Sequence, residues 1–373
     1  MPELLRCPTC SAPLAAPETL DTTARCPYCG TSVLLSGRTG ASLPPVTVAR
    51  KNAAGRVIGG VVLALALVIV VVATRSGSPP PAPVDQPRAV AGNPPGITPA
   101  PSAPSAPDAF ADVVLRFGSE GTGAGRFEDA RNVAVDGAGR IYVGEYSGGR
   151  VQVFDSLGTF VTQWMADPRM PMLDLEVDRG GTAYVVQSGR IRRYEGATGR
   201  PLGTVAGTGQ GEGVNDLVLA LDGTLWVVSG SSEVVHLTRE GKVLRRVDLR
   251  QAVQENAAPA RLAVSGKGEV YALDRWTNEV YRLDAAGKFV DRFGGKGDGP
   301  EQFRWAMELA IDGRGRVYVS DVGRGIRVFD AAGHFVEAFA ERGAVFGLAF
   351  DDSDGLYTAQ RNNHEIVKFR IKR

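Results

Sequence analysis

DGRGRVYV, at residues 312–319, decides the fold because similar segments recur along the chain. The segment at residues 136–143 reads DGAGRIYV, and each copy joins a short polar turn to an apolar strand around one aromatic residue. The aromatic residues of the six copies are Tyr142, Tyr184, Trp226, Tyr271, Tyr318 and Tyr357. Successive copies lie 42, 42, 45, 47 and 39 residues apart, which is the spacing of a repeat protein with three or four short strands per copy.

A repeat of this length predicts propeller blades, since one small sheet buries both of its faces only when neighbouring sheets stack around a ring. We therefore expect an all-β, six-bladed β-propeller over residues 110–373. The sixth copy lacks an outer strand, whereas an unassigned strand, residues 113–117, precedes the first copy. The sequence predicts that this early strand completes the last blade and removes two exposed sheet edges. A parallel solenoid, the alternative, would not need that strand.

Two glycine-rich segments precede the first and fifth copies. Residues 117–127 read FGSEGTGAGRF and residues 293–303 read FGGKGDGPEQF. With the Asp-Gly turns that follow them, these segments resemble NHL repeats. The resemblance is sharp in copies one and five, and for copies two to four the inference of a blade depends on the strand pattern. It implies a six-bladed NHL-type propeller that binds other molecules, and the chain's layout resembles bacterial receptor kinases with an extracytoplasmic NHL sensor, without their kinase domain.

One position near the start of each inner strand is expected to face the central channel. The residues there are Asn132, Asp174, Asp216, Arg261, Glu308 and Gly347. Apart from the glycine, we predict that they bind a ligand at the channel mouth, and their oxygens suit Ca²⁺, as in lactonase-type propellers, which such a site would resemble. The alternative is a water-filled polar channel in which Arg261 pairs with a carboxylate.

Two tryptophans are predicted contact residues, because aromatic side chains on loops of a rigid scaffold often anchor a partner. Trp276 lies in the turn after the aromatic strand of copy four, and Trp305 lies in the loop before copy five. Either residue could instead cap a blade.

Four cysteines form two CxxC pairs within residues 1–36. Cys7, Cys10, Cys26 and Cys29 have the spacing of a tetrahedral zinc site, so the sequence predicts a small zinc ribbon with structural Zn²⁺. Two disulfides are the alternative. So short a segment cannot bury a sufficient core, and the metal would stabilise its fold.

Residues 57–74 are eighteen residues without a charge, and they are long enough to span a bilayer as one helix. The basic residues of segment 37–56 precede this span, which predicts a cytoplasmic N-terminus in the cytoplasmic (inner) membrane. The proline-rich segment 75–109 is predicted to be a disordered linker that holds the propeller outside the membrane.

The charge of the propeller region argues against nucleic acid as a partner. Residues 110–373 hold 34 basic and 36 acidic side chains, whereas nucleic-acid affinity needs clustered positive charge. The sequence predicts a membrane-anchored binding, scaffold or sensor protein rather than an enzyme. Its expected partners are a protein, peptide or envelope glycan at the propeller, the lipid bilayer, and a cytoplasmic partner of the ribbon. The alternative is a lactonase-like hydrolase or lyase with a metal in the channel.

Overall fold

A computed structural model of the chain describes residues 23–25, 32–34, 110–206, 213–339 and 344–372. Strands β1 (Thr23–Arg25) and β2 (Ser32–Leu34) form an antiparallel pair, with Ala24 opposite Val33. The four predicted zinc ligands, the predicted linker and the apolar segment 57–74 lie outside these residues. Within the described residues, no helix is both long and apolar enough to cross a bilayer.

Residues 110–372 form six four-stranded antiparallel sheets over the ranges that the structure describes. Blades 1 to 3 contain β4 Ala130–Val135, β5 Ile141–Glu145, β6 Arg150–Phe154, β7 Phe160–Met165, β8 Asp174–Val177, β9 Thr182–Gln187, β10 Arg190–Glu195, β11 Arg200–Thr204, β12 Val214–Leu219, β13 Leu225–Ser229, β14 Glu233–Leu237 and β15 Val243–Asp248. The first strand of each blade lies innermost, where it contacts the first strands of the neighbouring blades. The sheets therefore surround a central channel, as predicted for a propeller.

Blade 4 follows a short helix, α1 (Leu249–Val253), which lengthens the connection from blade 3. Blades 4 to 6 contain β16 Arg261–Val264, β17 Val270–Asp274, β18 Glu279–Leu283, β19 Phe289–Gly294, β20 Ala306–Ile311, β21 Val317–Asp321, β22 Gly325–Phe329, β23 Phe335–Phe339, β24 Val345–Phe350, β25 Gly355–Gln360 and β26 Glu365–Ile371. A 3₁₀ turn at Arg361–Asn363 separates the last two strands.

The ring closes between the two ends of the propeller region. Strand β3 (Ala111–Phe117) pairs antiparallel with β26 and is the outer strand of blade 6, with Arg116 opposite Val367. The prediction that the early strand completes the last blade is confirmed. Because this pairing ties the first and last strands of the propeller together, blade 6 has the same four strands as the other blades.

The core lies between the blades. Each hydrophobic cluster joins side chains of two neighbouring sheets, as where Tyr142 and Trp164 of blade 1 pack against Leu175 and Val177 of blade 2. The six repeat aromatic residues are at most 2% exposed. Burying a side chain of this size contributes about 1.5–3 kcal/mol, so the repeated aromatic residue is a main reason why the blades stack.

The aspartate six residues before the aromatic residue fixes the turn between the first two strands. Asp136 accepts hydrogen bonds from the backbone N–H groups of Ala138 and Arg140, both at 2.9 Å, and from the Tyr142 hydroxyl at 2.9 Å. Asp312 makes the same bonds in blade 5, including one from Tyr318 at 3.1 Å. One carboxylate thus holds the turn and the buried tyrosine together, which explains their fixed spacing in the sequence.

Candidate functional site

The six predicted channel positions occupy one level of the ring. In every blade this residue lies opposite the residue two places beyond the repeat aromatic residue. The pairs are Asn132 with Gly144, Asp174 with Val186, Asp216 with Val228, Arg261 with Leu273, Glu308 with Ser320 and Gly347 with Ala359. The sequence register therefore identified a true structural layer, which we call the polar layer.

Carboxylates of the polar layer connect neighbouring blades. Asp174 accepts a hydrogen bond from the backbone N–H of Leu217 at 2.9 Å, and Asp216 accepts one from Leu262 at 2.7 Å. Each acceptor lies one blade before its donor. These two side chains therefore help to fix the ring, in addition to anything that they do in the channel.

Arg261 is the cation of the polar layer. Its Nε donates to Glu308 Oε2 at 2.8 Å, and its Nη1 lies 3.3 Å from Asp216 Oδ1. The alternative expectation, that this arginine pairs with a carboxylate, describes its contacts correctly. Burial lowers the pKa of Arg261, but attraction to Glu308, Asp216 and Asp174 outweighs it, so the pKa lies above its usual value and the guanidinium stays charged.

The channel contains two cavities; Arg261 lines the smaller, and its partners Asp216 and Glu308 line the larger. The larger cavity has a volume of about 680 Å³ and is lined by Asn132, Asp174, Asp216 and Glu308, together with the turns after the inner strands. The smaller has a volume of about 440 Å³ and is lined by Arg261 and by the turns at the other face of the ring. We call the smaller cavity the mouth. Of the residues predicted at the channel mouth, Arg261 lines this cavity and the other four line the larger one.

Glu176 is the residue of this site that the sequence reasoning missed. It lies two residues after Asp174 on the same strand, so both side chains are on the channel side, and it lines the larger cavity. The equivalent residues of the other blades are small or apolar: Ala134, Val218, Ala263, Ala310 and Ala349. The alternation of acidic and apolar residues in Asp174-Leu-Glu-Val-Asp178 was the available signal.

The carboxyl groups of the channel hold protons more tightly than usual. Burial raises the pKa of Glu176 well above its usual value, and the nearby Asp174, Asp216 and Glu308 raise it further. Burial likewise raises the pKa of Asp216 well above its usual value, against the attraction of Arg261. The pKa values of Asp174 and Glu308 are also raised by burial. Four neighbouring acids with raised pKa values beside one charged arginine form a group of the kind that transfers protons in other sites.

The side chains as placed do not favour a metal ion. Over the part of the chain that the structure describes, no group of three or more His, Cys, Asp or Glu residues is arranged to hold one. Arg261 lies between Asp216 and Glu308 and satisfies both carboxylates itself. Calcium in the channel stays a prediction, as does zinc at the four cysteines.

The two predicted contact tryptophans lie at different places. Trp276 is 79% exposed and lines the mouth, together with Arg131, Tyr146, Arg275 and Phe346. Trp305 is 62% exposed and lines neither cavity. Neither tryptophan caps a blade by burial, and their role in contacts stays a prediction.

Neither a protein-family model nor a curated protein sequence matches the chain. Solved structures do match it. A streptogramin B lyase structure has a TM-score of 0.51 at 12% identity, covering 70% of this chain and 98% of that one. A gluconolactonase from Xanthomonas campestris has a TM-score of 0.52 at 19% identity, covering 66% and 88%. A putative gluconolactonase has a TM-score of 0.54 at 16% identity, covering 70% and 93%.

The chain is a six-bladed β-propeller. Likeness at these identities shows the fold alone, so the finer assignment to NHL repeats stays a prediction. The sequence predicted that the protein is not an enzyme. That prediction is wrong, because solved propellers similar to this one are a lyase and gluconolactonases. A binding role was inferred because the sequence shows no familiar catalytic motif, yet the propeller's acidic groups meet only after the ring closes.

Proposed function

We propose that the propeller is an enzyme of the lactonase-like hydrolase or lyase type, with its chemistry in the larger cavity of the channel. One observation carries the proposal. Glu176 faces this cavity with no hydrogen bond or ion pair to any other residue that the structure describes, in a ring position that is otherwise apolar. Glu176 is half-buried. A half-buried carboxyl without a partner destabilises the fold, and perturbed acids in a cavity are typical of catalytic sites.

Asp174 and Glu176 are suited to opposite roles. Asp174 accepts hydrogen bonds from the backbone N–H groups of Leu175 at 2.8 Å and Leu217 at 2.9 Å, which favour its ionised form. Glu176 has no such donors, so we infer that it holds its proton to a higher pH than Asp174 does. The Cα atoms of residues two apart on a strand are separated by roughly 6.6 Å, and both side chains line the larger cavity, so both can reach one bound substrate.

Hydrolysis of a cyclic ester illustrates the proposed step. Water attacks the carbonyl carbon while its proton passes to the Asp174 carboxylate. The ring C–O bond then breaks, and the departing oxygen takes the proton of Glu176. Arg261, held by Glu308 at 2.8 Å, supplies positive charge near the oxygen that becomes negative during the attack.

A substrate panel tests the proposal. Purified protein is assayed with glucono-δ-lactone and related lactones, and with a streptogramin B antibiotic as the lyase substrate. We expect turnover above the uncatalysed rate with one of these classes, and a fall in kcat of about 10²–10⁴-fold in Glu176→Gln. Glu337→Gln is the matched control, since Glu337 is exposed on β23. Turnover that is equal in Glu176→Gln and wild type would show that the channel is not the reaction site.

The proposal includes a location for the propeller. The propeller is displayed outside the cytoplasmic membrane by the span at residues 57–74, with the zinc ribbon inside and a protein, peptide or envelope glycan within its reach. The support is the uncharged length of this segment and the basic residues before it. Fractionation of cells expressing the full chain or residues 110–373 tests this. The full chain should sediment with membranes and the propeller alone should not, and full chain in the supernatant would contradict it.

A further inference from the structure

The mouth carries more positive charge than its own carboxylates neutralise. Besides Arg261, which pairs with Asp216 and Glu308, three arginines reach it or its rim: Arg131 and Arg275 line it, and Arg361 lies over the Phe346 ring at its edge. Asp129 serves two of the three, accepting from Arg131 Nε at 2.8 Å and from Arg361 Nε at 2.7 Å. Burial raises the pKa of Asp129, but the bonds from Arg131 and Arg361 outweigh it and hold the pKa below its usual range.

Aromatic rings hold these arginines in place. The guanidinium carbon of Arg131 lies 3.9 Å from the centre of the Tyr146 ring and 5.3 Å from that of Phe346. The same carbon of Arg361 lies 5.6 Å from the Phe346 ring centre. Stacked guanidinium groups are fixed in direction, and this reduces the entropy that a ligand must remove on binding.

Arg275 is the unsatisfied member of the group. It is half-buried, yet it forms no ion pair or hydrogen bond with the residues that the structure describes. Burial lowers the pKa of Arg275, and the positive charges of Arg261 and Arg131 lower it further, although Glu308 and Asp216 oppose them. A guanidinium held near others without its own carboxylate is costly, and a bound anion would remove that cost.

The turn that bears Arg275 is rigid. Asp274 accepts hydrogen bonds from the backbone N–H groups of Trp276 at 2.7 Å, Thr277 at 3.2 Å and Ala258 at 2.8 Å. Asp274 is buried, so this turn is tied to both its own blade and the loop before β16. Arg275 and the exposed Trp276 are therefore presented together at the mouth.

We propose that the mouth binds a small carboxylic acid with a flat or apolar body. The carboxylate pairs with both ends of the Arg275 guanidinium, and the body of the ligand packs on Trp276 and Tyr146. Planar carboxylates suit the arginine fork, and the cavity of about 440 Å³ fits a molecule of this size. The ligand class deepens the proposed function and rests on it in one respect, namely that opening a lactone in the channel releases a carboxylic acid, the class of ligand that the mouth would bind.

Phenylacetate and its neutral isostere phenylacetamide are the probes. Their dissociation constants for the propeller are measured by saturation-transfer NMR and calorimetry. We expect the acid to bind at least tenfold more tightly than the amide, and Arg275→Gln to weaken the acid at least tenfold. Arg304→Gln is the control, because Arg304 is an exposed arginine that already pairs with Asp298 at 2.5 Å. It should bind the acid as wild type does.

Trp276→Ala gives a second test that does not disturb charge. This side chain is exposed, so its loss leaves the fold intact, and it should weaken both probes several-fold. Equal affinity for acid and amide, no binding of either, or unchanged acid binding in folded Arg275→Gln would overturn the proposal. Binding of the acid without turnover of any substrate would leave the mouth site standing while the proposed enzyme fails. Turnover of a substrate without acid binding would support the proposed enzyme and contradict the mouth site.

Discussion

Replacing Glu176 by glutamine should make the protein more stable at neutral pH. The substitution keeps the size of the side chain and removes its ability to ionise. Wild-type Glu176 has no hydrogen-bond partner among the described residues and lies near three other carboxyl groups. Two charges about 6.6 Å apart repel by about 2.5 kcal/mol at an effective dielectric constant of about 20. Since protonation already relieves part of this cost, we expect a gain of about 1–3 kcal/mol in the free energy of unfolding.

The gain should depend on pH in a definite direction. The pKa of Glu176 in the folded protein lies well above 4.5, the value expected in the unfolded chain. Below pH 4.5 both states hold the proton, so wild type and Glu176→Gln should be equally stable. Above it the unfolded state loses the proton first, which lowers the stability of wild type until the folded pKa is passed. Glutamine has no such loss, so the advantage of the variant should grow over this window.

Urea unfolding followed by circular dichroism, between pH 4 and pH 8, measures this difference. In thermal unfolding of Glu176→Gln, the melting temperature should rise by roughly 2–4 °C for each kcal/mol gained in the free energy of unfolding. Glu337→Gln, on an exposed outer strand, should change little at any pH. A destabilised Glu176→Gln at pH 7, or a gain of equal size at pH 4, would refute the argument that this carboxyl is half-buried and unpaired.

Three further substitutions test the contacts that build the ring. Arg261→Met should destabilise the protein by about 3–5 kcal/mol, more at pH 8 than at pH 5, because its two carboxylate partners ionise without a cation as pH rises; unfolding that is independent of pH would contradict the pairing. Asp312→Ala should cost about 2–4 kcal/mol in urea unfolding, since this side chain holds a turn and a buried tyrosine, whereas Asp330→Ala in an exposed outer turn should cost less than about 1 kcal/mol. Gly347→Ala should cost about 1–3 kcal/mol, because the new Cβ would lie 2.6 Å from the carbonyl oxygen of Arg131 in the next blade, and an unchanged melting temperature would show that the inner strands can move apart.

The repeat made most of the fold predictable. The spacing of the aromatic residues counted the blades, and the spare strand before the first copy predicted closure with β26. These inferences succeed because every blade needs the same turn and the same kind of buried aromatic side chain. The helix α1 was not predicted, since a connection between blades has no repeating constraint.

The candidate site was only partly predictable. Register alone identified the polar layer, because strand pairing places equivalent residues at one level. Glu176 was not predicted because its ring position is apolar in the other five blades, so the repeat gives no polar pattern there. The arginines of the mouth come from different blades, Arg131 from strand β4 and Arg275 and Arg361 from turns, and nothing in the sequence shows that they lie near one another. The functional reading depended on these groupings, and so it erred on enzyme activity.

The protonation of Glu176 at neutral pH is the claim on which the account depends most. Infrared difference spectroscopy between wild type and Glu176→Gln at pH 7 reports it directly. We predict a protonated-carboxyl band in wild type that is absent from the variant and shifts in heavy water. A difference spectrum that shows only the bands of an ionised carboxylate would contradict the proposed proton donor and, with it, the assignment of chemistry to the channel.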